Sequence, residues 1–394
     1  MKIVHVINYF QHQLGYQEFF LAREHARMGH DVTVVTSDRY FPFADYENTI
    51  SPILGKRKIK KGTERIHGFN VIRLPVLFEQ KGVRILLRGL KKELIRIKPD
   101  IVITHGEYTF NTLLTVLYKK KYKYRLVIDC HSIRLDKKIR RGFFSKIRDF
   151  KSFMFKSLFI KFVWNRRDIK WVAVADECAH LMVNECNFLQ EEITIIPLGS
   201  DIERFKPDPE LREKLRKVHG INGDDIVLLY TGKINFDKDP VLILESSKEL
   251  AQKYNLIYFF IGNIADEYRH RFNEFAVPLG DRVKQINAVP NLELPQYYAL
   301  ADIAAWPKQA SMSMIDAMAS ELPIIVCDYL TERLKNKNGI GIKEGNLSEL
   351  RQAIQTLAED PTIRISMGKR GRELAESEMD WKRISQKFID LALQ

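Results

Sequence analysis

Short runs rich in β-branched residues recur along the whole chain, and helical patterns separate most of them. Ile3–Ile7, Asp31–Thr36, Asn70–Leu74, Ile101–Thr104, Arg125–Asp129 and Trp171–Val174 read as strands of one sheet. Ile193–Ile196, Ile226–Tyr230, Ile257–Ile261, Val283–Gln285, Ile303–Trp306 and Ile324–Cys327 read as a second series. Strands joined through helices pair in parallel and bury both faces, so this alternation restricts the chain to the α/β class. Tyr16–Met28, closed by Gly29-His30, places apolar residues at helical spacing, as do Pro240–Tyr254, Pro295–Ala301 and a final helix from Trp381 to Leu393. At 394 residues the chain exceeds one ordinary domain. The turn-rich stretch from Pro197-Leu198-Gly199-Ser200 to Lys206-Pro207 is the expected linker.

Composition narrows the class further. Hydrophobic residues at 45% and charged residues at 29% belong to a soluble globular protein rather than a disordered one. Cys130, Cys178, Cys186 and Cys327 show no metal-type spacing and sit in or beside apolar segments, which reads as reduced core thiols in a cytoplasmic protein without a metal. The first residues, Met1 to Ile7, read as a strand rather than a signal peptide, and no apolar run approaches the ~20 residues that cross a bilayer.

The charge of +13 is unevenly spread: residues 1–200 hold 36 Lys+Arg against 20 Asp+Glu, and the remainder holds 27 against 30. A basic half suits either a nucleic-acid binder or a domain held against anionic lipid. Arg134 to Lys170 carries thirteen basic and three acidic residues among Phe143, Phe144, Phe150, Phe153, Phe155, Phe159, Phe162 and Trp164. That mixture reads as a helix in a lipid interface, or as a helical hairpin packed on the first domain. Lys56–Lys61 and Arg84–Lys98 add basic surface to the same half. No nucleic-acid-binding module is recognisable, so nucleic acid is not an expected partner.

Trp306 to Val326 is the most informative stretch for function. A small polar cluster, Gln309 to Ser313, leads into an apolar helix carrying Asp316; Glu321-Leu322-Pro323 ends the helix and Ile324-Ile325-Val326 follows as a strand. Loop, helix start, break and buried strand is how an α/β sheet offers backbone N–H groups to phosphate, with Ser311 and Ser313 in N-cap roles. Asp316 reads either as an acceptor for a ribose diol or as a helix-start acid facing the macrodipole. Upstream, Gly232 permits a sharp turn after a strand, and Lys233 and Lys238 flank the loop it opens. Two ammonium groups there read as a diphosphate clamp, or singly as solvated lysines. In the first half, Gly15 marks a strand-to-helix turn that serves a phosphate or simply turns the chain. His131 follows a buried strand and reads as functional; His105 occupies a comparable place, while His25 and His180 sit in helical patterns that suit structural roles.

The second half resembles the donor-binding domain of glycosyltransferase family 4, retaining sugar-nucleotide-dependent enzymes of the GT-B fold. The resemblance rests on Ile196 to Pro207, Gly232-Lys233 with Lys238, Phe260-Ile261-Gly262, Leu294–Asp302, Asp316-Ala317-Met318-Ala319 with Leu322-Pro323-Ile324-Ile325, and Asn338-Gly339-Ile340 with Gly345-Asn346, in family order. It implies two facing Rossmann-like domains: residues 1–196 for the acceptor, 197–378 for the nucleotide-sugar, and a helix at 379–394 packing back on the first domain. It implies Lys233 and Lys238 on the donor diphosphate, the first an arginine in most members. Gly15, Gly232, Gln309, Ser311, Met312, Ser313 and Asp316 would form the rest of the donor site, with Asp316 on the ribose and His131 touching the donor sugar. The first acid of the family's paired-acid motif falls at Lys308, a departure, since a lysine cannot accept a hydrogen bond.

The resemblance therefore implies transfer, with retention and without metal or cofactor, from a nucleotide-sugar, a UDP- or GDP-sugar first, to a glycan or lipid-linked acceptor. It places the protein in the cytoplasm, peripheral on the inner membrane face. The Lys308 departure keeps open a glycosyltransferase-like binding protein or partner subunit of weak or no activity. A sugar-nucleotide epimerase would need carboxylates that the sequence does not display.

Overall fold

The computed structural model describes residues 1–43, 45–80, 84–107, 109–131, 168–186 and 188–394. The basic, aromatic-rich stretch that begins at Arg134 lies outside the described residues as far as position 167. The chain forms two units: unit 1 comprises Met1–Tyr46, Leu54–Leu198 and Lys382–Gln394, and unit 2 comprises Glu47–Ile53 and Gly199–Trp381.

Unit 1 contains β1 (Lys2–Val6), β2 (Asp31–Ser37), β3 (Gly62–Ile66), β4 (Phe69–Leu74), β5 (Val76–Gln80), β6 (Arg84–Leu87), β7 (Ile101–His105), β8 (Arg125–Cys130), β9 (Ile169–Ala173) and β10 (Ile193–Ile195). Eight of these make one sheet in the order β10-β9-β8-β7-β1-β2-β4-β3, and β5 and β6 pair separately. All its pairings are parallel except β3 with β4, and β3 is an edge strand with a largely exposed face. The central strands are apolar on both faces, as a covered parallel sheet requires: Ile3, Val4, Val32, Val34, Val35 and Ile101 to Ile103 are all buried.

Periodicity grouped one strand elsewhere, although the boundary expected after residue 196 keeps it with the first domain. Ile193–Ile196 reads in sequence as the first strand of the second series, whereas Ile193–Ile195 pairs in parallel with β9 and Ile193 joins the unit 1 core. Three alternating residues state that a strand exists but not which sheet edge it will extend.

Unit 2 contains β11 (Ile226–Thr231), β12 (Leu256–Ile261), β13 (Val283–Ile286), β14 (Ile303–Ala305), β15 (Ile324–Cys327) and β16 (Gly339–Ile342), all parallel, in the order β13-β12-β11-β14-β15-β16. The edge strand β16 is rich in glycine and does not announce itself by propensity; a Cβ at Gly339 would run into the Ile324 carbonyl of β15. The pattern over Pro240–Tyr254 resolves into two short helices, Val241–Ser247 and Leu250–Lys253.

In each unit the chain lays strands to one side of a central strand and then returns to build the other side. The order reverses between β1 and β7 in unit 1 and between β11 and β14 in unit 2. Helices leaving adjacent strands at such a point diverge to opposite faces and open a crevice at the strand carboxyl ends, where open α/β sheets take ligands. Cys130, Cys178 and Cys327 are buried free thiols. Among the described residues no helix is long and apolar enough to cross a membrane.

Candidate functional site

In unit 2 the loops after β11 and β14 meet at the switch point. Gly232, at φ 141°, turns the chain out of β11, and a Cβ at the neighbouring Gly262 would run into the Gly232 carbonyl. The Tyr230 hydroxyl donates to the Lys233 carbonyl at 2.6 Å, which braces the loop and leaves Lys233 exposed. Lys238 Nζ donates to the Ala310 carbonyl at 2.6 Å, so the ammonium of one loop is tied to the backbone of the other. Burial, and secondly the charge of Lys233, pushes the Lys238 ammonium down to about 8. The lowered value marks an ammonium whose charge its surroundings disfavour, and a nearby anion would favour that charge again.

The β14 loop is anchored by Trp306, fully buried, whose Nε1 donates to the Thr231 carbonyl at 2.9 Å. Gln309 then adopts φ 42°, a left-handed conformation uncommon for a residue with a Cβ. Ser311, Met312 and Ser313 are half-buried, and Met312 is the cap of the helix Ser313–Ala319. Ser311 Oγ accepts from the Ser313 amide at 3.3 Å, and the Ser313 carbonyl accepts from the Tyr298 hydroxyl at 3.2 Å. Asp316 lies one turn in and is buried; its Oδ1 accepts from the Ser200 hydroxyl at 2.6 Å. Burial pushes its carboxyl up to about 7, against the opposing effects of Ser200 and Arg204. Ser200 comes from the linker, and nothing in sequence joins the two across 116 positions.

Lys308 has an internal partner. Its Nζ pairs with Asp239 Oδ2 at 3.0 Å, while Asp239 Oδ1 accepts from the Tyr268 hydroxyl at 2.6 Å and Arg271 Nε at 3.1 Å. Burial alone would raise the Asp239 carboxyl, but Tyr268, Lys308 and Arg271 together hold it below its ordinary value. The sequence reading missed Asp239, Tyr268 and Arg271; Asp239 adjoins Lys238 in the chain but pairs with Lys308 and Arg271 instead.

In unit 1, Gly15 adopts φ 67° and closes the turn His12–Leu14 ahead of the helix Gln17–Arg27, so turn geometry accounts for the glycine. His5 of β1, His105 at the end of β7 and Asp129 of β8 converge at the switch point, because β7 pairs with both neighbours and His105 stands opposite Asp129. His105 Nδ1 lies 2.7 Å from Asp129 Oδ2, and His105 Nε2 lies 3.0 Å from His5 Nδ1. His5 Nε2 is 3.1 Å from His25 Nδ1, and His25 Nε2 is 3.0 Å from the Ser385 carbonyl. The Gly106 amide donates to Asp129 Oδ1 at 3.1 Å. His131 stands just beyond β8 with its side chain 39% exposed and Nε2 3.4 Å from Asp129 Oδ2.

The electrostatics follow from this packing. Burial would raise the Asp129 carboxyl, yet His105 and His131 bring it well below the usual carboxylate range. Crowding by its neighbours works against charge on His131, less than its full burial would because the ring reaches solvent, and Asp129, Glu107 and Glu18 raise its pKa nonetheless. Burial pushes the Glu18 carboxyl up, while His5 and His25 are pushed down, His25 to about 4. His105, Asp129 and His131 bring ligand-type atoms within 4.8 Å of one another. Both ring nitrogens of His105 are already engaged, so it offers no lone pair to a metal, and the cluster reads as a hydrogen-bonded chain. The sequence reading selected His131 and noted His105, but His5 and Asp129 were read only as strand residues and His25 as structural.

Known proteins align with both units. The family model described as Glycosyltransferase Family 4 matches residues 19–204, and that described as Glycosyl transferases group 1 matches residues 211–374. The GDP-mannose-dependent alpha-(1-6)-phosphatidylinositol monomannoside mannosyltransferase of Mycobacterium tuberculosis is 25% identical over 210 residues, 50% of this chain and 54% of its own length. The capsular polysaccharide biosynthesis glycosyltransferase CapM of Staphylococcus aureus is 22% identical over 233 residues, 55% of this chain and 60% of its own. The chain thus spans little more than half the length of these curated relatives. Anabaena HepE, solved in complex with UDP-glucose, superposes with a TM-score of 0.69 at 16% identity, covering 99% of this chain and 98% of that one. At that identity the likeness speaks for the fold alone. With the two family models matched in order along both units, the chain belongs to glycosyltransferase family 4 and has the GT-B fold.

Proposed function

We propose that this protein transfers a sugar, with retention of anomeric configuration, from a nucleotide-sugar to a hydroxyl of a glycan or lipid-linked acceptor. The observation that carries the reading is the pair Lys233 and Lys238 on the β11 loop at the unit 2 switch point, with Lys238 tied through Ala310 to the β14 loop. Two cations at the carboxyl end of a parallel sheet suit a diphosphate. The HepE complex with UDP-glucose and the GDP-mannose dependence in the mycobacterial enzyme's name support a nucleotide-sugar of the UDP or GDP type.

In this reading Lys233 and Lys238 neutralise the charge that builds on the departing diphosphate as its bond to the anomeric carbon breaks. The acceptor oxygen forms the new bond on the same face, and its proton passes to the leaving diphosphate. Charge neutralisation by lysine needs no metal ion. Gly232, Gln309, Ser311, Met312 and Ser313 line the donor loop, Asp316 holds the ribose, and His131 acts on the donor sugar. The basic surface of residues 1–200, with Lys56, Lys58, Lys60, Lys61, Arg88, Lys91, Lys92, Arg96 and Lys98 all exposed, supports peripheral contact with an anionic membrane. Sedimentation with anionic vesicles at low and high salt tests that part.

Titration with UDP-, GDP-, ADP- and CMP-sugars by calorimetry tests the donor site, and no binding by any of them would end the reading. Product analysis by NMR in chelator then tests retention and metal independence; an inverted product or loss of turnover in chelator would remove those elements. Lys308, paired with Asp239 where the family has an acid, favours a second reading: a protein that binds the nucleotide-sugar without turning it over. Binding without transfer to any acceptor in a membrane extract would select it.

A further inference from the structure

We infer that His25, His5 and His105 form a directional hydrogen-bond chain that keeps Asp129 an ionised acceptor and thereby positions His131. The contacts are His25 with the Ser385 carbonyl, His25 with His5, His5 with His105, and His105 with Asp129. Each needs one hydrogen, which makes four on three rings, and three neutral imidazoles carry only three N–H groups. Both ends accept: one is a backbone carbonyl, and the other is Asp129, whose Oδ1 takes the Gly106 amide, whose Oδ2 faces His131 as well as His105, and whose carboxyl those two imidazoles hold well below the usual range. The Ser385 carbonyl takes the Nε2–H of His25, and if His25 is neutral its Nδ1 then accepts from Nε2–H of His5.

The fourth hydrogen makes one ring an imidazolium. Coulomb attraction places it on His105, beside Asp129, where Nδ1–H donates to the carboxylate and Nε2–H to His5 Nδ1. The His5 and His105 ring planes lie 7° apart with centroids 5.3 Å apart, so the two rings meet edge to edge and their in-plane nitrogens face one another. The buried pair of His105 and Asp129 is then neutral as a whole. Facing His131 are Asp129, Glu107, Glu18 and His105, and the chain decides how much of the Asp129 charge His131 senses. The consequence for sugar transfer rests on the proposed role of His131; the chain itself does not.

The test is ¹⁵N NMR of the full chain with labelled histidines. At pH 7 the expected pattern is His25 and His5 neutral with the proton on Nε2, and His105 protonated on both nitrogens; a neutral His105 at pH 7 would overturn the inference. His5→Phe removes the acceptor for His105 Nε2–H, so His105 falls back to a single Nδ1–H and Asp129 faces His131 uncompensated. The His131 titration midpoint then rises by about one pH unit or more, the scale of an opposite charge within ~4–6 Å. His5→Gln offers a carbonyl to His105 and an amide to His25, and returns the midpoint to the wild-type value. An unchanged midpoint in His5→Phe, or His5→Gln behaving like His5→Phe, would also overturn it. Should His5→Phe fail to fold, the wild-type protonation pattern decides alone. Failure to bind any nucleotide-sugar would end the transferase reading and leave these titrations standing.

Discussion

Asp316→Asn isolates the electrostatic cost of the candidate ribose site. The carboxyl of Asp316 titrates at about 7 in the folded protein against an ordinary value of 3.8, because burial disfavours its charge. Its folded pKa is raised, so the native state binds the proton more tightly than the unfolded chain. The resulting stability is fully present below about pH 4 and is lost as pH rises through about 7. At about 1.4 kcal/mol per pH unit the loss totals about 4 kcal/mol in unit 2, an upper bound if the site relaxes around the charge. Asparagine keeps an oxygen for the Ser200 hydroxyl and cannot ionise. The variant should match the wild type to within about 1 kcal/mol at pH 4 and exceed it by about 2–4 kcal/mol at pH 8. Urea unfolding read by hydrogen exchange over residues 306–326 measures this locally, and the wild-type-minus-variant difference cancels every other titrating group. Nucleotide affinity moves the opposite way, weakening about tenfold if Asp316 holds the ribose, a loss of about 1.4 kcal/mol. Identical pH slopes for the two proteins would refute the reasoning.

Lys238→Met should weaken UDP or GDP binding at least about tenfold by calorimetry. In the wild type that affinity should fall as pH rises through about 8, where the free protein's Lys238 loses its charge, and the variant should lack this inflection. Gly262→Ala should cost more than about 3 kcal/mol, since the new Cβ meets the Gly232 carbonyl and φ is 153°; a melting temperature within about 2 °C of wild type would contradict it. Lys308→Met should cost less than about 1 kcal/mol, because Lys308 is partly exposed and Asp239 keeps Tyr268 and Arg271. Lys308→Glu sets a carboxylate against Asp239 and should lower the melting temperature further than Lys308→Met.

Much of the architecture was legible because parallel sheets bury both faces. Runs such as Ile101 to Ile103 and Ile324 to Val326 have no other stable home. The loop chemistry was legible for a related reason: Gly232, Lys233, Lys238 and the Gln309–Ser313 cluster each follow a strand, where an α/β sheet exposes its ligand-binding end. Allegiance was not legible. Ile193–Ile195 joined the unit 1 sheet, and β16 formed at Gly339–Ile342 without strand propensity because glycine alone allows so close an approach to Ile324.

The sequence alone determined that the chain is α/β, that it builds two series of parallel strands, and which residue types stand at their carboxyl ends. Only the tertiary structure decided which polar side chains meet. Lys308 finds Asp239 across 69 positions, Asp316 finds Ser200 across 116, and His5 finds His105 across 100. Each meeting brings together residues that local periodicity leaves unrelated. The histidine contact exists because the crossover sets β7 beside β1, so that strands distant in the chain end side by side. Periodicity reports whether a residue is in a strand and which face it takes, whereas adjacency comes from strand order, a global property of how the chain is wound.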